Sequence, residues 1–251
     1  MSRRTAVVTI LAALAVLFVL LVRAQLKFDP NAIDVHWFGT ALPPCFVDAG
    51  ACAGHVLGTD DLGRDVLARL VYGGQVSLGL SLIALAMELA LGVVFGLFAR
   101  YGGAVLKFVI MRFGDAISCF PAWLFLVVIV FVGTPPSRAG LSGFALAAIA
   151  AILFSPRIAR LIATVGGVRT VVLAVSDQAA RDLGRVIVLL ATVDFVGLGI
   201  QPPTASWGNM LVDAAQNMII AWWVAVLPAL CIFGAVLAIE IVRRRLFASE
   251  G

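Results

Sequence analysis

Charge is what this sequence has least of. Of its 251 residues only 13% are Asp, Glu, Lys or Arg, about half the share of a typical soluble domain, while 62% are hydrophobic. A water-exposed exterior needs more polar cover than that, which excludes an ordinary soluble domain of this length. Two His and two Tyr leave little material for a soluble catalytic centre. No Cys/His grouping has zinc-ligand spacing, so neither a metal nor a cofactor is expected. No GxxxxGK[ST] phosphate loop occurs, so the chain itself is expected to bind no nucleotide. The net charge of +4 fits basic loops at a membrane surface better than a nucleic-acid-binding stripe. Lipid is the partner this composition implies, and nucleic acid is not.

What is abundant is long apolar runs, and a helix crosses the hydrocarbon core with roughly 20 such residues. The first run is 5–22, uncharged throughout, and the second is 76–99, broken only by Glu88. A third follows Pro121 to Gly133, and a fourth runs from near Leu141 to between Pro156 and Leu161. The fifth lies within 170–193 and carries Asp177, Arg181, Asp182 and Arg185; the sixth runs from Met218 to Val242, with Pro228 as an expected kink. The fold class is therefore all-α, a polytopic membrane protein of about six spans. Six spans put both termini on one side. Arg3, Arg4 and the Arg243–Arg245 run mark that side as cytoplasmic, together with Arg100, Lys107, Arg112, Arg157, Arg160 and Arg169 in loops. The first run exceeds the h-region of a secretory signal and is expected to stay as a span.

Cys45 and Cys52 fall in the long loop assigned to the outside, where an oxidising medium permits a disulfide; two unpaired thiols are the alternative. Cys119 and Cys231 lie at or in spans and read as small hydrophobes.

The most specific stretch is HVLGTDDLGRDVLARLVYGG at 55–74. Gly58, Asp60, Asp61 and Gly63 are turn and cap formers. Asp65, Arg69 and Tyr72 fall on one face of a short helix leading into the membrane, with Asp65 and Arg69 as an expected i,i+4 pair. By physics alone this is an amphipathic lead-in helix with an N-cap. The pattern His55, Gly58, Thr59, Asp60, Gly63, Arg64 and Asp65, followed by Arg69 and Tyr72-Gly73, also resembles the signature preceding the second span of dipeptide/oligopeptide/nickel-type ABC importer permeases. The likeness is to the second of the two permease subunits. Further matches follow in order: Arg100-Tyr-Gly-Gly, Met111-Arg112-x-x-Asp115, Phe120-Pro121, Ser155-Pro156-Arg157-x-x-Arg160-Leu161, Phe195-x-Gly-Leu-Gly-x-Gln-Pro-Pro-x-x-x-Trp207-Gly208, and Ala221-Trp-Trp with Pro228.

The resemblance implies a type I ABC importer permease fold. It divides the chain into an N-terminal transmembrane helix (1–25), an extracytoplasmic loop with its lead-in helix (26–75), a core permease domain (76–245) and a cytoplasmic tail (246–251). It implies a subunit that is not itself an enzyme and sits in the cell membrane. There it would line a path for peptides or similar solutes together with a second homologous permease. Two cytoplasmic ATPase subunits would drive transport, and an extracytoplasmic substrate-binding protein would deliver the solute. Arg157, Arg160, Gly166, Gly167 and Arg169 would face the ATPases. Glu88, Asp177, Arg181, Asp182, Arg185 and Asp194 are the candidates for a polar path lining, a solvated juxtamembrane helix being the other reading of the four between 177 and 185.

One departure stands out. The family carries a cytoplasmic loop with a short coupling helix between the fourth and fifth spans, and here the stretch 157–201 is markedly shorter. Either 178–184 belongs to the fifth span, leaving only a Gly166-Gly167 turn, or Gln178–Gly184 is a degenerate coupling motif before a span of only 186–200. The first placement leaves enough residues to cross and is preferred. The tail after the sixth run departs from the family pattern too. Two alternatives stay open: a permease-like scaffold that no longer couples to ATP hydrolysis, and an unrelated channel or carrier.

Overall fold

The computed structural model describes residues 29–47, 54–133, 142–215 and 218–247. The first apolar run and Cys52 lie outside them. The described residues form seven α-helices and a single short 3-10 turn at Val35–Trp37. They are α1 (Val66–Tyr101), α2 (Gly103–Ser118), α3 (Ala122–Gly133), α4 (Gly143–Thr164), α5 (Val168–Phe195), α6 (Trp207–Ala215) and α7 (Trp222–Phe247).

Helices α1, α4 and α7 are each long and apolar enough to cross a membrane. Helices α2 and α3 qualify only together and are bent by 88° at the Cys119–Pro121 break, where Pro121 cannot donate the bond that would continue α2. Helix α5 has 28 residues, roughly 42 Å, which is ample length; its charged first half keeps it from qualifying on apolarity. Pro156 and Pro228 sit inside unbroken helices rather than ending them. The lead-in helix is not separate: it is the first turns of the 36-residue α1.

Glycine sets the closest approach in the bundle. A Cβ on Gly92 would lie 2.5 Å from the Ile158 Cβ, and one on Gly96 would lie 2.7 Å from the Ile162 Cβ. Small residues four apart let two helix backbones close to a distance that larger side chains forbid. Because 92 meets 158 and 96 meets 162, α1 and α4 run parallel. Their far ends are joined by Arg100, whose Nη1 donates to the carbonyls of Ile162 and Val165 at 2.9 Å each, satisfying the C-terminus of α4. Helix α2 returns alongside both, with Gly114 against Pro156.

The core lies where α3, α4 and α5 meet. Leu126, Val130, Leu146, Ala150, Val186 and Leu190 pack there around Ala84 of α1. A smaller cluster joins Val66, Met210, Trp223 and Val224 at the Asp65 end of α1. Outside these cores large apolar side chains such as Phe98, Phe108, Phe131 and Phe233 are exposed, an arrangement that water penalises and hydrocarbon does not.

Replacing Gly92 by Val forces α1 away from α4 and lowers stability by about 1–3 kcal/mol. Gly79→Ala, where an added Cβ meets nothing within 4 Å, leaves it unchanged or slightly raised. Thermal unfolding of the two variants in detergent checks this, and equal midpoints would remove the close-contact argument.

Candidate functional site

The 55–74 motif folds into an ion-paired knot at the Asp65 end of α1. Gly58 and Gly63 adopt φ of +76° and +74°, and a Cβ on either would strike the Leu42 or Asp34 carbonyl oxygen at 2.2 and 2.3 Å. Only glycine fits a turn so close to neighbouring backbone. The loop is stitched down by Thr59, whose Oγ1 accepts from Leu42 N at 2.9 Å, and by Asp34 N donating to the Gly63 carbonyl at 3.0 Å.

Asp60 is the centre of the knot. Its Oδ1 accepts from the backbone N–H groups of Leu62 and Arg64 at 3.0 and 2.9 Å, and its Oδ2 from Arg64 Nε at 2.6 Å. Arg69 approaches the same Oδ2 at 3.7 Å. Both arginines then reach one oxygen of Asp213 on α6, at 3.0 and 3.3 Å. The knot thus ties the loop before α1, α1 itself and α6 together across some 150 residues of sequence.

Asp65 does not pair with Arg69 as the i,i+4 spacing suggests. It caps α1, its Oδ1 accepting from Ala68 N at 2.6 Å, and its Oδ2 meets His55 Nδ1 at 2.7 Å. An N-cap side chain points back over the helix start, away from the face where residue i+4 projects. His55 Nε2 in turn lies 3.5 Å from Asp34 Oδ2. The His36 backbone N–H, together with His55, holds the Asp34 carboxyl below its ordinary range. Cys45 in this region is disulfide-bonded, and Cys52, its expected partner, lies outside the described residues.

A second buried carboxylate organises the turn after α5. Asp194 Oδ1 accepts from Ile200 N at 2.9 Å and Oδ2 from the Ser206 hydroxyl at 2.6 Å. Asn209 closes the loop by accepting from Ser206 N at 2.9 Å and donating to the Thr204 carbonyl at 2.7 Å. A Cβ on Gly199 would lie 1.8 Å from Asp194 Oδ1, and one on Gly208 2.5 Å from the Ala191 carbonyl. Trp207 packs its ring against Gly74 and donates its indole N–H to the Leu70 carbonyl at 2.8 Å. Asp194 therefore has an architectural duty here, and it is not a lone acid.

The third cluster lies deeper. Asp182 is 0% exposed; its Oδ1 accepts from Arg157 and Arg185 at 3.2 and 2.7 Å, and its Oδ2 from Gln178 at 2.7 Å. Glu88, equally buried, lies beside it. Asp177 pairs with Arg181 one turn on and with Arg243 of α7 at 2.8 Å. Asp182 faces the interior, so this part of α5 is not a fully solvated helix. Beside the cluster a cavity of about 750 Å3 opens between α3, α4, α5 and α7.

At the Arg100 end, Arg160 is ion-paired with Asp115, while Gly166, Gly167 and Arg169 are exposed. Helix α4 ends at Thr164 and α5 starts at Val168, so only Val165–Gly167 connect them, turning at Gly167 with φ +80°. That is the short-turn placement of the missing stretch. No helix stands between α4 and α5. Asp213, Ser206 and Asn209 were not legible as site residues: their partners lie on other segments, and only the tertiary structure joins them.

A bundle of apolar helices that exposes aromatic side chains outward and buries ion pairs inward defines a multi-pass membrane protein. Comparison with known proteins places it further. The chain is 32% identical over 219 residues to the di/tripeptide transport system permease protein DppC of Pseudomonas aeruginosa, covering 79% of this chain and 72% of that protein. It is 30% identical over 234 residues to the dipeptide transport system permease protein DppC of Haemophilus influenzae, covering 85% and 78%. It is 30% identical over 222 residues to the glutathione transport system permease protein GsiD of Pectobacterium atrosepticum, covering 78% and 71%. No protein-family model matches the chain. The chain belongs to the peptide-type ABC importer permeases, of the second-subunit kind, and such permeases are transport proteins and not themselves enzymes.

Asp60→Asn leaves two buried guanidiniums short of charge and costs about 3–5 kcal/mol of stability. Asp213→Asn costs less, because that carboxylate is 27% exposed and water substitutes for part of what is lost. Thermal unfolding should rank them in that order; the reverse order would move the centre of the knot to Asp213.

Proposed function

We propose that this chain is the second permease subunit of an ATP-driven importer for peptides or similar small solutes. The observation that carries the reading is the similarity to peptide and glutathione permeases across 71–78% of their length, with the family's loop motif folded as an ion-paired knot. In this reading the knot faces the extracytoplasmic side, beside an incoming substrate-binding protein. Arg100, Arg160, Arg169 and Arg243 mark the cytoplasmic side, as the distribution of basic residues favours, and both termini lie there; Arg157, which the sequence placed with them, pairs with buried Asp182 instead. A second homologous permease completes the path. Two ATPase subunits hydrolyse ATP and engage the surface around Arg160, Gly166, Gly167 and Arg169.

One observation favours a second reading. The Val165–Gly167 connection is too short to hold a coupling helix, so a scaffold that assembles without responding to ATP hydrolysis fits that face better. The two readings part on a measurable property: coupling.

A tagged full-length chain, purified from its native membrane in mild detergent, brings down a second permease and ATPase subunits. Recovery of a stable chain alone contradicts the proposal. In the same preparation, ATP hydrolysis stimulated by the solute-loaded binding protein supports the importer, and hydrolysis indifferent to it supports the scaffold.

A further inference from the structure

Two arginines at the wall of a cavity meet on one oxygen of a fully buried carboxylate. Arg157 comes from α4 and Arg185 from α5, and both donate through Nη1 to Asp182 Oδ1. Their depth follows from the neighbouring contact of Ile158 with Gly92 on α1. Gly92 lies eight residues before Arg100, roughly 12 Å inside the end of the 76–99 apolar run. Ionisable groups at such depth are costly and are by default functional. An apolar side chain would pack these helices at lower cost.

The environment says what the pair can bind. Both guanidiniums line the 750 Å3 cavity, a size typical of small-molecule sites. Trp123, Val188, Leu189 and Val236 make the neighbouring wall apolar. The other charged groups there, Arg181 and Glu240, are already paired, with Asp177 and with Arg243 and Arg244. Arg157 is held in plane by stacking over the Phe154 ring at 4.5 Å. Each guanidinium spends one nitrogen on Asp182, and its remaining donors have no acceptor among the described residues. Glu88 lies beside Asp182 but is not part of the cavity wall. Arg157 and Arg185 are 37% and 48% exposed, so the donors not spent on Asp182 stay open to the cavity and can take a second anion by charge-assisted hydrogen bonds.

We propose that Arg157 and Arg185 form an anion-binding site that takes the carboxylate or phosphate head of an amphipathic ligand, whose apolar body occupies the cavity. Two sources share this chemistry: the terminal carboxylate of a peptide solute and the headgroup of an anionic phospholipid. The site stands without the transport reading, and only the assignment of the anion to a solute rests on it.

The test uses the full-length chain, with the subunits that accompany it, in phosphatidylcholine nanodiscs. The probes are radiolabelled leucyl-leucine, its C-terminal amide, and phosphatidylglycerol. Wild type binds one of the anionic probes about tenfold or more tightly than its neutral counterpart, the scale of one lost charge-assisted contact. Arg185→Gln removes that preference and Arg185→Lys restores part of it. Arg157→Gln, read in parallel, loses the same preference, so the outcome does not hang on the folding of one variant. Discrimination of the dipeptide from its amide assigns the site to a solute, and discrimination of phosphatidylglycerol from phosphatidylcholine alone assigns it to lipid; either supports the site. Equal binding of anionic and neutral probes to wild type, or a preference that survives both substitutions, overturns it. Loss of anion preference leaves subunit co-purification untouched, so this proposal and the transport reading fail separately.

Discussion

Inside a bilayer a charge must find its partner within the protein, and this constraint arranges the molecule. Asp182 answers it within the bundle, and Asp60 and Asp194 answer the same cost where burial in protein removes the water. Each is buried, and each takes donors from a segment far away in sequence or from a loop it holds closed. Asp60, through Arg64 and Arg69, joins the loop before α1 and α1 itself to Asp213 of α6. Asp194 shapes the turn that delivers Trp207 to α1. Asp182 draws α4 and α5 together. Without these three acids the apolar faces would still associate in lipid, but with little to choose one register over another.

Close packing does the complementary work. Glycine at 92 and 96 brings α1 against α4, glycine at 74 accepts the Trp207 ring, and glycine at 199 makes room for the Asp194 carboxylate. These contacts join α1 to α4 and to α6, and fix the turn that follows α5. Between α3, α4, α5 and α7 lies the cavity with the paired arginines, and a second cavity of about 560 Å3 lies between α1, α2 and α4.

Much of this was legible in the chain, and the limits were physical. Low charge and long apolar runs disclosed an all-α membrane protein, and the 55–74 motif disclosed the family. The short Gly166-Gly167 turn before α5 was the preferred of two placements, because the other left a fifth span of only 186–200, too short to cross comfortably. Asp177–Arg181 and Asp182–Arg185 were readable as pairs because both partners lie on one helix at i,i+4 and i,i+3. Local spacing misled at Asp65, where a residue at a helix start serves the backbone and not residue i+4. It was silent on Asp213, whose partners lie 144 and 149 positions away. Asp194 looked isolated for the same reason: its partners lie in an irregular loop that no periodicity describes.

The central claim is that this chain forms part of a working solute path. The most direct measurement is ATP-dependent uptake of a labelled dipeptide by membrane vesicles from cells that carry the whole transport system. The account predicts uptake that disappears when this chain is deleted and returns when it is supplied again. Uptake that is unchanged by the deletion would contradict it.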